Sequence, residues 1–127
     1  LKKGLVRPPV FVQFVLGILG GIDASPESLL FMKSTADRLL GDAYRFSVLA
    51  AGRHQMRLAT MGAVMGGNAR VGLEDSLTDG AGRALAPDNA HQVARIRRVL
   101  EDLGYAIASP AEARAMLGLK GGDKVAF

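Results

Sequence analysis

Arg70, Glu74 and Asp75 are the residues of this chain whose types and spacing could do chemistry. They fall within Gly66-Gly67-Asn68-Ala69-Arg70-Val71-Gly72-Leu73-Glu74-Asp75-Ser76-Leu77. In an alternating strand, Arg70, Gly72 and Glu74 would face one side and Val71 and Leu73 the other, against a helix. Gly72 would then leave room for a ligand between the guanidinium and the carboxylate, and Asp75 would sit where strand gives way to loop. Charged groups at the C-terminal end of an otherwise apolar parallel strand are the usual form of an α/β active site.

Each residue has a functional and a plain reading. Glu74 can complete a metal site with two histidines and an open position for substrate, or it can be a structural carboxylate paired with Arg70. Arg70 can hold a carboxylate substrate bidentately, and Asp75, just beyond the strand, can act as a general base. The plain alternative for that pair is a salt bridge closing one end of the fold. His54 and His91 are the two histidines, and their placement fits capping or surface roles better than ligation.

A second cluster is glycine-rich. Gly17–Gly21 and the turn Gly52-Arg53 could approach a phosphate-bearing cofactor, with Gly20, Gly21 and Arg53 as the coenzyme-binding candidates. A cation at a helix start opposes the dipole, and a bound anion would offset it. The plain reading is that these glycines serve tight turns between strand and helix. The methionines Met32, Met56, Met61, Met65 and Met116 read as core filler.

The elements that must position these residues repeat as strand then helix. Val10–Leu16 is a near-continuous apolar strand of the doubly covered kind. Ser25-Pro26-Glu27 starts a helix with a serine cap, proline at the first position and an acid in the first turn, and Gly41-Asp42 stops it. A second strand at Tyr44–Ala50 leads to a helix over about 53–65, with Met56, Ala59, Thr60, Ala63 and Val64 inward. The third strand is read as Ala69–Leu73. A polar loop, 76–89, precedes a helix at about 90–103 with Val93, Ile96, Val99, Leu100 and Leu103 as its apolar stripe. Ser109-Pro110-Ala111-Glu112 is a capping-box start for a last helix to Leu117, and the tail, 119–127, reads as irregular.

Composition narrows the function classes. The 127 residues carry 16 Lys and Arg against 12 Asp and Glu, a formal charge of +4, with 6% aromatics. The basic residues are scattered and no aromatics interleave with them, which argues against a nucleic-acid surface. The longest apolar run, Val10–Ile22, is broken by Gln13 and glycines and is too short to span a membrane; its basic start is not read as a signal peptide, because Phe11–Leu16 is β-type. The absence of cysteine rules out disulfides and thiolate metal sites and fits a reducing cytoplasm.

Strand–helix alternation with short turns implies an α/β fold with a parallel sheet and right-handed crossovers. It can close as part of an open doubly wound sheet or of a barrel. Gln13, Ser47 and Arg70 lie in otherwise apolar strands and could face a common interior, which favours the barrel. A whole (β/α)8 barrel takes roughly 250 residues, so residues 1–127 are expected to form one partial TIM-barrel domain: the last three βα units plus a short C-terminal helix. The chain lacks an initiating methionine and opens almost directly on a core strand, so it is expected to be a fragment. Unpaired strand edges imply low stability alone, with completion by missing sequence or by another copy.

The word GG-x-x-RVGLED-x-L, preceded by VQFVLGILGG and AAGRHQ, resembles the C-terminal part of the β-keto acid cleavage enzymes, among them the 3-keto-5-aminohexanoate cleavage enzymes of lysine fermentation. The resemblance runs from about Pro9 to Phe127. Where many members have a histidine and a valine before the arginine, this chain has Asn68 and Ala69. The resemblance implies a TIM barrel, and cleavage of a β-keto acid by exchange with acetyl-CoA, giving acetoacetate and a new acyl-CoA. It implies a Zn2+ ion with Glu74 as one ligand beside two histidines spaced His-x-His, a motif absent from this chain. It also implies that Arg70 and Asp75 together activate substrate. The expected partners are thus a small β-keto acid and acetyl-CoA, with neither nucleic acid nor membrane, in a homo-oligomer; the isolated chain is expected to be inactive. Two alternatives are a zinc-dependent aldolase-type lyase without coenzyme A, and a non-catalytic, self-associating barrel remnant.

Overall fold

In β1 (Val10–Leu16), Val12, Phe14 and Leu16 point to one face and Phe11, Gln13 and Val15 to the other. A computed structural model of the chain describes residues 3–79, 84–119, 121 and 125, so most of the tail expected to be irregular lies outside the described residues. α1 (Pro26–Leu40) follows, capped by the Ser25 side chain, which accepts from the Ser28 N–H at 3.1 Å. β2 (Tyr44–Ala50) then runs parallel to β1 in register from Val10 opposite Tyr44 to Leu16 opposite Ala50.

A single 3-10 turn, Gly52–His54, leads into α2 (Gln55–Val64). The helix thus starts two residues later than its sequence pattern predicts. β3 is only Asn68–Ala69, parallel to β2 with Ser47 opposite Asn68. The predicted third strand reached Leu73. One further ladder bond, from Arg70 N–H to the Val48 carbonyl at 3.0 Å, continues the pairing before the backbone turns away.

The loop that follows holds a small antiparallel hairpin, β4 (Thr78–Asp79) with β5 (Ala84–Leu85), which its polar composition did not announce. α3 (Asn89–Asp102) is capped by Asp88, and α4 (Pro110–Leu117) by the predicted Ser109–Glu112 capping box.

The fold is therefore α/β, with a three-stranded parallel sheet in the order β1-β2-β3. Both crossovers step the same way across the sheet. α1 and α2 accordingly pack on one face, where Phe14, Leu16, Leu29, Ala36, Phe46, Val48, Ala50 and Leu58 form the core. α3 packs on α2, with Ile96 and Leu100 against Ala59 and, partly buried, Val71.

Close approach to the sheet of α2 and of the turn that follows it depends on two glycines. A Cβ on Gly62 would lie 2.3 Å from Val48 Cγ2, and one on Gly67 would lie 2.3 Å from Phe46 Cε2. The buried residues of α2 are Gln55, Leu58, Ala59 and Gly62; of the predicted inward set, Ala59 is buried, Met56 and Ala63 pack partly buried toward α3, and Val64 is exposed. The face of the sheet opposite α1 and α2 carries a row of polar groups, with Gln13 Nε2 donating to Ser47 Oγ at 3.1 Å.

Candidate active site

A parallel sheet delivers every strand end to the same edge. The turn after β1, the Gly52 turn after β2 and the segment after β3 therefore lie along one rim. Arg70 sits at that rim because its backbone still pairs with β2 while the following residues leave the sheet. Asp75 and Ser76 N–H both return to the Gly72 carbonyl at 3.1 Å, winding Gly72–Ser76 into a tight turn. That turn brings Glu74 and Asp75 back over Arg70.

The guanidinium is the hub of the site. Its Nε donates to Asp75 Oδ2 at 3.0 Å and its Nη2 to Asp75 Oδ1 at 3.2 Å. Nη2 also lies 2.9 Å from Glu74 Oε1, and Nη1 donates to Gln13 Oε1 at 3.3 Å. Gln13, Ser47 and Arg70, expected to share a face, are thus joined in one chain of hydrogen bonds. The Asp75 hydrogen bond, and then its negative charge, push the guanidinium pKa further up, so the cation is permanent.

The two carboxylates differ in surroundings. The Asp75 side chain is 7% exposed and committed to Arg70, whereas that of Glu74 is 83% exposed and touches Arg70 with one oxygen. A buried, bidentate carboxylate is a fixed element of the site, and an exposed one is free to take a ligand.

Gly72 does not leave the open space that the alternating-strand reading gave it. It is buried, and a Cβ there would stand 3.1 Å from Asn89 Oδ1, which accepts from the Leu73 N–H at 2.7 Å. The glycine admits a side chain of the protein itself.

The other candidates lie on the same rim without joining the cluster. Gly20 has φ +83° and open space around it, and the Gly21 N–H donates to the Ile18 carbonyl within its own turn. Arg53 is exposed, and among the described residues it bonds only to His54, Nε to Nε2 at 3.2 Å. Its neighbour Gly52 reaches the cluster through its N–H, which donates to the Asp75 carbonyl at 2.8 Å. His91 faces Asp79 at 3.1 Å, and Asp79 also pairs with Arg95.

Among the described residues no three His, Asp or Glu side chains form a metal-binding group. Glu74 offers one exposed donor, Asp75 is held by Arg70, and each histidine is engaged elsewhere. The donors among the described residues do not make a metal centre by themselves.

Sequence reasoning missed three residues around the cluster. Gln55 Nε2 donates to the Gly72 carbonyl at 2.9 Å, Gln92 Nε2 donates to the Ser76 carbonyl at 2.7 Å, and Asn89 holds Leu73 as above. The available signal was register: Gln55 and Ala59, and Gln92, Ile96 and Leu100, recur at four-residue spacing on the buried side of their helices.

The fold and the rim cluster define an α/β domain with an arginine–dicarboxylate site. Residues 1–119 match the family model described as beta-keto acid cleavage enzyme. The chain belongs to the beta-keto acid cleavage enzyme family. It is 55% identical over 127 residues to the 3,5-dioxohexanoate:acetyl-CoA acetone transferase of Paraburkholderia graminis, covering 100% of this chain and 41% of that protein. It is 36% identical over 118 residues to the 3-keto-5-aminohexanoate cleavage enzyme of Acetoanaerobium sticklandii, covering 93% of this chain and 41% of that protein. It is 35% identical over 118 residues to the 3-oxoadipate:acetyl-CoA acetyltransferase of Cupriavidus necator, with the same 93% and 41% coverage. The chain thus spans about two fifths of the length of these relatives.

Proposed function

We propose that this chain is the C-terminal part of an enzyme that cleaves a β-keto acid by exchange with acetyl-CoA, giving acetoacetate and a new acyl-CoA. The observation that carries the reading is the bidentate grip of Arg70 on the buried Asp75, with the exposed Glu74 carboxylate beside it, at the C-terminal rim of a parallel sheet. The three relatives named above are a transferase acting with acetyl-CoA, a β-keto acid cleavage enzyme and an acetyltransferase.

Arg70 commits four of its five N–H donors to Asp75, Glu74 and Gln13. Glu74 is the exposed partner, so its displacement frees a second donor, enough to hold a substrate carboxylate. Asp75 stays in place and is the group positioned to take a proton from the carbon next to the keto group. Glu74 supplies a single carboxylate toward a zinc ion whose other ligands come from sequence outside this chain. Zinc would polarise a keto oxygen when bound.

In this reading residues 1–127 form one partial TIM-barrel domain. Two features support it. Both described crossovers place their helices on one face of the sheet, and the other face bears the polar row Gln13–Ser47–Arg70. A groove of about 350 Å³ beside β1, lined by Val12, Phe31, Met32 and Leu39, also leaves apolar surface for a further βα unit. Gly20, Gly21 and Arg53 remain the candidates for contact with the coenzyme, since the Gly52 turn is tied to Asp75. The complete protein is proposed to self-associate and to work in the cytoplasm. No helix among the described residues is long and apolar enough to cross a membrane.

The test is a chimera in which this chain replaces the matched stretch of the Paraburkholderia graminis relative. The expected result is zinc-dependent formation of acetoacetate and an acyl-CoA from a β-keto acid and acetyl-CoA. A folded, zinc-loaded chimera that forms neither product would sink the reading.

A further inference from the structure

We infer that Gln55, Asn89 and Gln92 are positioning residues: they clamp the turn Gly72–Ser76 and so hold Asp75 and Glu74 where Arg70 meets them. The catalytic consequence rests on the function proposed above; the clamp itself is a matter of geometry. Three side chains from two helices converge on five consecutive residues. Gln55, from the first position of α2, takes the Gly72 carbonyl. Asn89, from the first position of α3, takes the Leu73 N–H, and Gln92, three residues on, takes the Ser76 carbonyl. The Gly52 N–H fixes the Asp75 carbonyl from a further side. None of the three side chains hydrogen-bonds to Arg70, so each acts on the site only through the turn.

The two glutamines are poorly explained as core residues. Gln55 is 2% exposed and Gln92 1%, and in each the Oε1 atom is buried with no hydrogen-bond partner among the described residues. A buried acceptor without a partner destabilises a fold, and an apolar side chain of similar volume would avoid that cost. Nor does the Gly72 carbonyl need Gln55 for satisfaction, since it already accepts from the Asp75 and Ser76 N–H groups. What the amides do supply is direction. Each fixes one end of the turn against its own helix, and the turn then has no freedom to swing Asp75 off the guanidinium. Gly72 belongs to the same device, because any Cβ there would crowd Asn89.

The test uses Gln55→Met and Gln92→Met, read in two ways. In the full chain labelled with nitrogen-15, the Arg70 Nε–H resonance reports the bond to Asp75 directly. In the active chimera, turnover reports the consequence. Both variants are expected to keep their helical circular dichroism, and Gln55→Met to keep or raise its thermal midpoint. The Arg70 Nε–H signal should broaden and exchange faster with solvent, and kcat should fall roughly tenfold to a hundredfold with KM little changed. Should Gln92→Met fail to fold, Gln55→Met decides alone, because it leaves the Gly72 carbonyl its two backbone donors. A merely structural role would lower the thermal midpoint and leave the Arg70 signal as it was, and that result overturns the inference. If the Arg70 signal responds while the parent chimera shows no turnover, the clamp stands and it is the proposed function that fails.

Discussion

Arg70 and Asp75 are joined edge to edge by two hydrogen bonds, Nε to Oδ2 at 3.0 Å and Nη2 to Oδ1 at 3.2 Å. Only a planar fork can make both at once. Arg70→Lys keeps the charge and loses the geometry, since an ammonium on a flexible stem cannot span both oxygens from the Arg70 backbone. If the pair works as a unit, kcat/KM of the active chimera should fall on the order of a hundredfold. A loss of less than about threefold would show that charge alone suffices, and the paired roles of Arg70 and Asp75 would have to be given up.

Glu74 and Asp75 are adjacent in sequence but should respond oppositely to loss of charge. Glu74 is 83% exposed, so Glu74→Gln should leave the unfolding free energy within about 0.5 kcal/mol of the parent's in urea. In the complete enzyme it should lower bound zinc, measured by metal content after dialysis. Asp75→Asn should do the reverse, lowering stability by leaving a buried amide against a guanidinium while metal content holds. Equal zinc content in the parent and the Glu74→Gln protein would remove Glu74 from the proposed ligand set.

Much of this arrangement was legible from residue order, and the exceptions have physical causes. Val10–Leu16 and Tyr44–Ala50 appear with the predicted bounds because runs of β-branched and aromatic residues between glycine turns leave little choice. The Ser25 and Ser109 caps also fixed their helix starts. Arg70, Glu74 and Asp75 stand out as candidates because an arginine and two acids in an apolar segment are conspicuous, and the structure brings the three together. The third strand was overread: Val71-Gly72-Leu73 has strand-like alternation, but the Gly72 carbonyl collects local donors and bends the chain out of the sheet. The helix stripes were drawn on apolar residues alone. On α3 this chose Val93 and Leu103, both more than half exposed, over the buried Gln92. A hydrophobicity count cannot find a buried amide whose partner is a backbone carbonyl sixteen residues away.

Gly62 offers a stability test where two effects oppose each other. Alanine is the better helix former by about 1 kcal/mol, so at an exposed position Gly62→Ala would stabilise. Here the new Cβ would stand 2.3 Å from Val48 Cγ2 and 2.7 Å from Val48 Cβ, and Val48 is fully buried in the central strand. A branched side chain fully buried in the core has little room to give way, and overpacking of this kind costs about 1–3 kcal/mol. The clash should win, with a net loss on the order of 1 kcal/mol or more and a lower urea midpoint. A midpoint equal to or above the parent's would mean that α2 can lift from the sheet at no cost.

The pH dependence of stability should be shaped by groups away from the site, at the opposite end of the strands and at the caps. Asp37 accepts from Lys33 Nζ at 2.7 and 2.8 Å and from the Tyr44 hydroxyl at 2.7 Å, and these bonds, Lys33 first, hold its pKa below 3.8. Hydrogen bonds from the Ser109 backbone, then its side chain, hold Glu112 below 4.5, and Ser28 and then Ser25 hold Asp23 below 3.8. A depressed acid contributes stability that is present above its unfolded pKa and lost as pH falls through its folded value. The urea midpoint should therefore drop on acidification below about pH 4. On the alkaline side, Asp37 raises Lys33 above 10.5, and burial raises Tyr44 above 10.0. Raised groups stabilise fully below their unfolded values and lose that contribution as pH climbs through the folded ones, so a second decline is expected above about pH 10. Asp37 shapes both limbs, which makes Asp37→Asn the informative variant. It should flatten part of the acid limb and weaken the alkaline decline due to Lys33, because an amide does not raise the ammonium's pKa as a carboxylate does. Midpoint curves that superimpose on the parent's at both ends would show that the Lys33–Asp37–Tyr44 network is decorative.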